Sequence, residues 1–265
     1  MITPILMLGA GRMGGAILEG WMRAGAFAPA DLMIADPHPS DAALAAGRAG
    51  ARLNPPDTDL AAAGTVILAV KPQTWLEAAG RYAGLLGADA VIVSVAAGVG
   101  ARDIARAFGG RVVARVMPNT AVAINQGTMS LYADQPAARA RAHALFDPLG
   151  TVIDLAEENL IHAATAMAGS GPAYLYAFIE CLEAAGASAG LSPADASRMA
   201  RSTVIGAAAL LAQTGEEPAE LRRQVTSPAG TTEAALNVLL SEKGLPPLLR
   251  EAVAQAVRRS KELGA

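Results

Sequence analysis

Two hydrophobic rhythms divide the chain. Up to residue 117, continuous apolar or β-branched runs occupy Ile5–Leu8, Leu32–Ala35, 66–70, 91–95 and 112–117, and Ala-rich stretches of helical spacing lie between them. Runs without alternation belong to strands covered on both faces, as in a mostly parallel sheet with crossover helices. A further strand-helix-strand passage over about 128–155 completes this half. Beyond Glu157 the period is helical throughout, over 160–190, 193–213, 218–225, 231–240 and 245–263. Turn signals separate these segments at Gly190, Gly215, Pro218 and Gly244. Ser192 before Pro193 predicts an N-cap with proline at the first helical position, and Asp195 complements the dipole there. The segment Ala168-Gly169-Ser170-Gly171-Pro172-Ala173-Tyr174 interrupts the first helical stretch and reads as a crossing point, with Pro172 restarting the helix. The expected architecture is an α/β Rossmann-like domain over 1–157 followed by an all-α domain over 158–265. No linker tract divides them, so the two are expected to touch and enclose a cleft.

Composition narrows the class. A chain of 265 residues suits two domains. Apolar residues make up 52% and aromatics only 4%, with Ala and Gly in their place. Small side chains let helices approach closely, which suits a helix-mediated dimer. The net charge of −3, with both signs scattered, speaks against nucleic acid or a polybasic membrane contact. No apolar run nears the roughly 20 residues of a membrane span, and no basic leader opens the chain. Cys181 is the only cysteine, so no intrachain disulfide forms, and a reducing, cytoplasmic compartment fits. Cys181 reads as a buried helix residue. His38, His143 and His162 show no metal-ligand spacing, and His38 and His143 read as surface residues.

The first apolar run leads directly into Gly9-Ala10-Gly11-Arg12-Met13-Gly14, a G-x-G-x-x-G ahead of a helical pattern. In that context Gly9 permits the tight turn, Gly11 lets backbone approach a pyrophosphate, and Gly14 lets helix and strand pack closely. Asp36 closes the second run, where a carboxylate accepts from a ribose 2′-OH and repels a 2′-phosphate. Asp36 therefore favours NADH, while Arg12 leaves NADPH open. Val70-Lys71-Pro72, Ser94-Val95-Ala96-Ala97-Gly98 and Met117-Pro118-Asn119-Thr120 end later runs, where ligands of open α/β sheets bind. Small residues at Ala96 and Ala97 leave room for a flat ring. Near the other end, Val225-Thr226-Ser227-Pro228-Ala229-Gly230-Thr231-Thr232-Glu233 crowds hydroxyls and glycine before a helix. Backbone N–H groups at a helix start suit a small carboxylate, although such a segment also serves as a plain cap.

Together these landmarks, with Arg115-Val116-Met117-Pro118-Asn119-Thr120 and residues 221–236, resemble the pyrroline-5-carboxylate reductase family. The most specific part is Val-Thr-Ser-Pro-x-Gly-Thr-Thr, carried by 225–232. The resemblance implies NADH- or NADPH-dependent reduction of a cyclic imine, 1-pyrroline-5-carboxylate, to L-proline. It implies cofactor contacts from Gly9, Ala10, Gly11, Arg12, Met13, Gly14, Asp36, Pro37, Asn54, Val70, Lys71, Pro72 and Ala97. It places the substrate carboxylate on Ser227, Ala229, Gly230, Thr231 and Thr232, with the Thr232 hydroxyl facing the ring nitrogen as the candidate catalytic group. Glu158 and Gln224 match positions lining the same pocket. It further implies a homodimer through the C-terminal helices, and a possible ring of dimers. Four positions depart from the family pattern: Arg12 for asparagine, Ala121 for proline, Glu217 for histidine and Ala229 for glycine. Alanine is tolerable at 229 if φ there is negative.

Two rivals stand beside this reading. A two-domain dehydrogenase of the β-hydroxyacid or 6-phosphogluconate type would use the same glycine loop, but no lysine follows Gly169-Ser170-Gly171-Pro172 within the next turns. A non-enzymatic nucleotide-binding protein would keep the fold, yet leaves the 225–232 segment without a purpose.

Overall fold

The computed structural model describes residues 2–263. Met1, Gly264 and Ala265, at the ends of the two expected domains, lie outside the described residues. Eight strands form one sheet: β1 (Ile5–Leu8), β2 (Leu32–Ala35), β3 (Arg52–Leu53), β4 (Thr65–Leu68), β5 (Val91–Ser94), β6 (Val113–Pro118), β7 (Gly127–Tyr132) and β8 (Gly150–Asp154). Their order is β3-β2-β1-β4-β5-β6-β7-β8. Neighbours are parallel except β6 and β7, which run antiparallel. The order reverses between β1 and β4, so the crevice at their carboxyl ends is the topological switch point.

The lack of alternation in the apolar runs has a direct cause. Ile5 and Met7 of β1 join one core with Ile17, Trp21 and Phe146, while Leu6 and Leu8 join a second core with Leu60 and Phe108. Helices α1 (Arg12–Ala24), α2 (Asp41–Arg48) and α5 (Pro136–Phe146) cover the first face, and α3 (Trp75–Tyr82) and α4 (Ala101–Ala107) the second. Each fully buried Leu, Ile or Phe contributes on the order of 1.5–3 kcal/mol, so both faces resist a polar substitution. Trp21 is seated by its indole N–H, which donates to the Leu145 carbonyl at 2.7 Å, and by an edge contact with Phe27.

The chain forms two compact units, 2–170 with 256–263, and 171–255. The first extends past the sheet through α6 (Leu160–Ala164) and a π-helical turn, Thr165–Gly169. Here Ser170 N–H reaches Thr165 O at 2.8 Å, and Asn119 Nδ2 donates to Ala168 O at 3.3 Å. The stretch 160–190, which looks like one interrupted helix in sequence, is thus α6, a π turn and a new helix starting at Gly171. Local wide turns of this kind often mark functional sites.

The second unit holds α7 (Gly171–Ser188), α8 (Pro193–Thr214), α9 (Pro218–Gln224), α10 (Thr231–Leu239) and most of α11 (Leu245–Glu262). Ser192 Oγ accepts from Asp195 N–H at 3.1 Å, as the cap pattern predicts, and Gly215 ends α8 in the left-handed conformation at φ 65°. Helices α7, α9, α10 and α11 contain no buried residue. A cavity of 680 Å³ lies among Tyr174, Phe178, Cys181, Leu182, Leu239 and Leu249. Cys181 is exposed in this chain, which corrects its reading as a buried residue. Its helical, apolar surroundings are as expected, but it borders the open cavity lined by α7, α10 and α11.

Candidate active site

The glycine loop follows β1 at the switch point. Gly9 has φ 88°, and a Cβ there would come within 2.9 Å of the Ala69 carbonyl oxygen. A Cβ on Gly14 would run into the Gly9 carbonyl oxygen and sit 3.3 Å from Met7 Sδ. These two glycines are therefore demanded by the fold. Gly11 is not. Its φ of −67° suits any residue, and a Cβ there would meet nothing within 4 Å. Nothing among the described residues requires its backbone to be bare. Ala10 and Met13 lie behind the loop against the core, and Arg12 is exposed at the first turn of α1.

Asp36 is tied to backbone N–H groups by both carboxylate oxygens. Its Oδ2 accepts from Ala10 N–H at 2.6 Å and its Oδ1 from His38 N–H at 2.7 Å. Asn54, at φ 44°, accepts from Asp36 N–H through Oδ1 at 2.9 Å while its own N–H donates to Ile34 O at 2.7 Å. Asn54 thus acts through Asp36, and Asp36 braces the glycine loop. A cavity of 460 Å³ opens beside them, lined in part by Gly9, Gly11, Asp36, Pro37, Val70 and Lys71. Its far wall is α3, with Glu77, Arg81 and Tyr82, which the sequence reading did not single out. Arg81 pairs with Asp57 at 2.7 Å and lies 5.2 Å from the centroid of the Tyr82 ring. The Asp57 carboxylate holds this guanidinium charged, its pKa above the ordinary value. Only the general rule that the segment after β4 borders the crevice pointed to α3.

A second, smaller cavity takes Pro72, Trp75, Gly98, Gly100 and Asp103. Its loop runs from Ser94, whose Oγ accepts from Ala96 N–H at 3.2 Å, through Ala97 to the start of α4. Glu158 is fastened here. Its Oε1 accepts from Ala101 N–H at 2.6 Å and from Arg115 Nη1 at 2.8 Å. Arg115 is 4% exposed and stands beside Ser94 in the β5–β6 register. Its Nη2 is buried with no acceptor among the described residues. An unmade bond of this kind costs about 1–3 kcal/mol, so the pair is not there for stability alone. Burial, followed by the charges of Arg115 and Lys261, pushes the His162 imidazole below its usual pKa, and His162 Nδ1 lies 2.9 Å from Ser260 Oγ. His143, read as a surface residue, sits between Asp147 and Asp154 at 2.9 Å from each, which raises its pKa.

The remaining expected residues gather in the second unit, in the turn between α9 and α10. Thr226 Oγ1 donates to Arg222 O at 2.6 Å, and Gly230 N–H donates to Ser227 O at 3.0 Å. Ala229 N–H donates to Glu233 Oε2 at 2.8 Å. Of the backbone donors expected for a carboxylate, those of Ala229 and Gly230 are thus already engaged. The N–H groups of Thr231 and Thr232 open α10, where an α-helix has no internal acceptors for them. The Thr232 hydroxyl makes no hydrogen bond among the described residues. Gln224 Nε2 is tied to Glu216 Oε2 at 2.6 Å and to Glu220 Oε1 at 3.3 Å. A Cβ on Gly230 would collide with Ser227 Oγ, so that glycine is required.

Ala229 has φ 55°. The condition of a negative φ is not met: the loop keeps a left-handed turn, and alanine carries the strain. An L-residue loses about 1–2 kcal/mol there, part of which glycine would lose again through its freer unfolded chain. Ala229→Gly is accordingly expected to raise unfolding free energy by about 0.5–1 kcal/mol in denaturant melts at matched concentration. A lower midpoint would contradict this account of the turn.

Comparison with known proteins agrees with this geometry. A family model described as pyrroline-5-carboxylate reductase dimerisation matches residues 158–263, and one described as NADP oxidoreductase, coenzyme F420-dependent, matches residues 4–98. The chain is 36% identical to the pyrroline-5-carboxylate reductase of Synechocystis over 269 aligned positions, covering 100% of this chain and 99% of that protein. It is 37% identical to that of Pseudomonas aeruginosa, covering 99% and 98%. The solved structure of a pyrroline-5-carboxylate reductase from Coxiella burnetii superposes with a TM-score of 0.91 at 29% identity, with both chains covered completely.

Proposed function

The chain belongs to the pyrroline-5-carboxylate reductase family, and from that premise we propose how its own residues divide the work. It is an NAD(P)H-dependent oxidoreductase that reduces the C=N bond of 1-pyrroline-5-carboxylate to L-proline, the last step of proline biosynthesis. The open space over Gly11 and the 460 Å³ cavity at the switch point fit a dinucleotide. Gly9, Gly11, Arg12 and the first turn of α1 at Met13 and Gly14 hold its phosphates. Asp36, Pro37, Val70 and Lys71 border its adenosine end, with Ala10 and Asn54 behind them. Pro72 and Ala97 flank the nicotinamide. The bound nicotinamide supplies a hydride to the imine carbon.

The observation that carries the substrate reading is the 227–232 turn with its uncommitted Thr232 hydroxyl. The substrate carboxylate takes the Thr231 and Thr232 N–H groups, on a turn shaped by Ser227, Ala229 and Gly230. Gln224, at the end of α9, belongs to the same side of the second unit as this turn. The Thr232 hydroxyl accepts from the iminium N–H, so it orients the ring and favours the protonated, electrophilic form. Little covalent work is left for the protein; orientation alone is worth on the order of 7–11 kcal/mol of barrier in well-ordered systems. Oxidation of NADH or NADPH that depends on 1-pyrroline-5-carboxylate, by the purified chain, tests this. Turnover of a β-hydroxyacid in its place would favour the rival dehydrogenase.

Asp36 sets the cofactor preference toward NADH. Two unit charges about 4 Å apart repel by roughly 4 kcal/mol at an effective dielectric of 20, before salt. Asp36→Ser is expected to raise the NADPH-to-NADH ratio of kcat/KM about tenfold or more. Because Asp36 also holds Ala10 N–H, absolute affinity for both cofactors falls with it. An unchanged ratio would remove Asp36 from cofactor choice.

The protein is a homodimer, and we place its contact on the C-terminal helices. Exposed Leu175, Val238 and Leu248 on helices without buried residues, together with exposed Ile205 on α8, support that placement. Covering such a side chain contributes about 1.5–3 kcal/mol. A ring of dimers is the further assembly proposed. Light scattering at micromolar concentration is expected to give twice the chain mass or an even multiple; a monomer contradicts the placement. A cytoplasmic location, where a lone thiol stays reduced, completes the proposal and is read by cell fractionation.

A further inference from the structure

We propose that Arg115 and Glu158 are a positioning pair for the reduction, a strut from a buried guanidinium to a half-buried carboxylate that fixes the 94–101 loop on which the nicotinamide rests. The inference builds on the proposed seat at Ala96 and Ala97, and it moves Glu158 from the substrate to the loop. Three elements meet at one oxygen. Glu158 Oε1 takes Arg115 Nη1 from β6 at 2.8 Å and Ala101 N–H from the loop's end at 2.6 Å. Arg115 is itself held at its base, since it pairs with Ser94 on β5 and with Tyr132 on β7. Ser94 in turn accepts from Ala96 N–H. Both ends of the loop are therefore tied to Arg115, one to its backbone through the sheet and one to its guanidinium through Glu158. Of the residues between, Val95, Ala96 and Val99 pack into the cores, which leaves Ala97, Gly98 and Gly100 as the partly exposed crest of the loop. These three are small, and Gly98 takes φ 78°.

The energetics point the same way. A buried guanidinium is a poor source of stability beside well-packed apolar residues, and that of Arg115 leaves Nη2 without an acceptor among the described residues. What the arrangement supplies is direction. A guanidinium on a rigid strand sets the position of a carboxylate, and the carboxylate sets the position of a backbone N–H. A flat ring resting on that backbone inherits the placement.

The test uses the full-length enzyme and four variants, Glu158→Ala, Glu158→Gln, Arg115→Met and Arg141→Met. Arg141 is the control. It bonds Gly64 O and Thr65 Oγ1, both at 2.6 Å, at the opposite, amino end of β4. Hydrogen exchange at amides 96–101 is expected to quicken about tenfold or more in Glu158→Ala and Arg115→Met, with the central strands unchanged. In the same two variants kcat is expected to fall about 10- to 100-fold, with KM for the imine within about threefold, as misplacement rather than lost binding requires. Glu158→Gln keeps an acceptor for Ala101 N–H and recovers much of kcat. Arg141→Met lowers Tm and keeps kcat.

Unchanged exchange at 96–101, or a kcat per folded enzyme within about twofold of wild type in Glu158→Ala, overturns the proposal. So does a kcat loss in Arg141→Met equal to that in the pair, which would reduce the effect to general destabilisation. If Arg115→Met does not fold, Glu158→Ala decides, because that side chain is 31% exposed and its removal leaves no large void. A wild-type enzyme inert toward the imine would sink the reading of function instead, and the exchange measurement then decides the strut on its own.

Discussion

Gly11→Ala is expected to weaken NADH binding about 5- to 150-fold, a cost of roughly 1–3 kcal/mol for a methyl group forced into a filled contact. The fold should not suffer. The Gly11 backbone is extended at φ −67°, and the added Cβ meets no protein atom within 4 Å. Replacing glycine at a compatible φ raises stability by about 0.4–1 kcal/mol through the unfolded chain, so Tm is expected to hold or rise. Gly14→Ala is its counterpart. Its Cβ strikes the Gly9 carbonyl oxygen, so Tm falls along with affinity. Fluorescence titration with NADH beside thermal melts separates the two. An unaltered Kd in Gly11→Ala would mean that no phosphate approaches that backbone.

Thr232→Ala is expected to lower kcat/KM for 1-pyrroline-5-carboxylate by about 10- to 150-fold, the value of a hydrogen bond to a charged partner at roughly 1.5–3 kcal/mol. The structure makes this a clean experiment. The hydroxyl has no bond among the described residues, and the residue stands in the first turn of α10, where alanine is a good helix former. The loss should appear in catalysis and leave the melting curve in place. Thr232→Ser keeps the oxygen and should retain most activity. If the alanine variant stays within about twofold of wild type, the hydroxyl does not face the iminium nitrogen.

How much of this was legible beforehand depends on the range of the interaction responsible. The sheet, its helices and the glycine loop are written in local signals. An apolar run with no alternation is a strand covered on both sides, and Gly9-Ala10-Gly11-Arg12-Met13-Gly14 after such a run is a phosphate loop. The cap at Ser192 and the helix starts at Pro193, Pro218 and Thr231 follow from neighbours within four residues. The family resemblance in 225–232 is a matter of residue order, and it located the turn before any coordinate was known.

Other features were settled by residues far apart in the chain. Asp36 also braces the glycine loop through Ala10 N–H, a bond that exists because β1 and β2 are neighbours. Glu158 carried no local sign that Arg115 and Ala101 would bind its Oε1. Arg81 and Tyr82 gave no local signal, since only the placement of α3 beside the β4 end makes them a wall of the cavity. Periodicity reports that a face is apolar and says nothing of what covers it, so Cys181 read as buried and stands exposed. At Ala229, composition pointed to a turn and its backbone sign stayed open until φ was known. Local propensity acts through adjacent bonds and is therefore carried by the letters in order. Hydrogen bonds across 26 or 57 positions exist only once the sheet has closed, and those are the ones that shape this site.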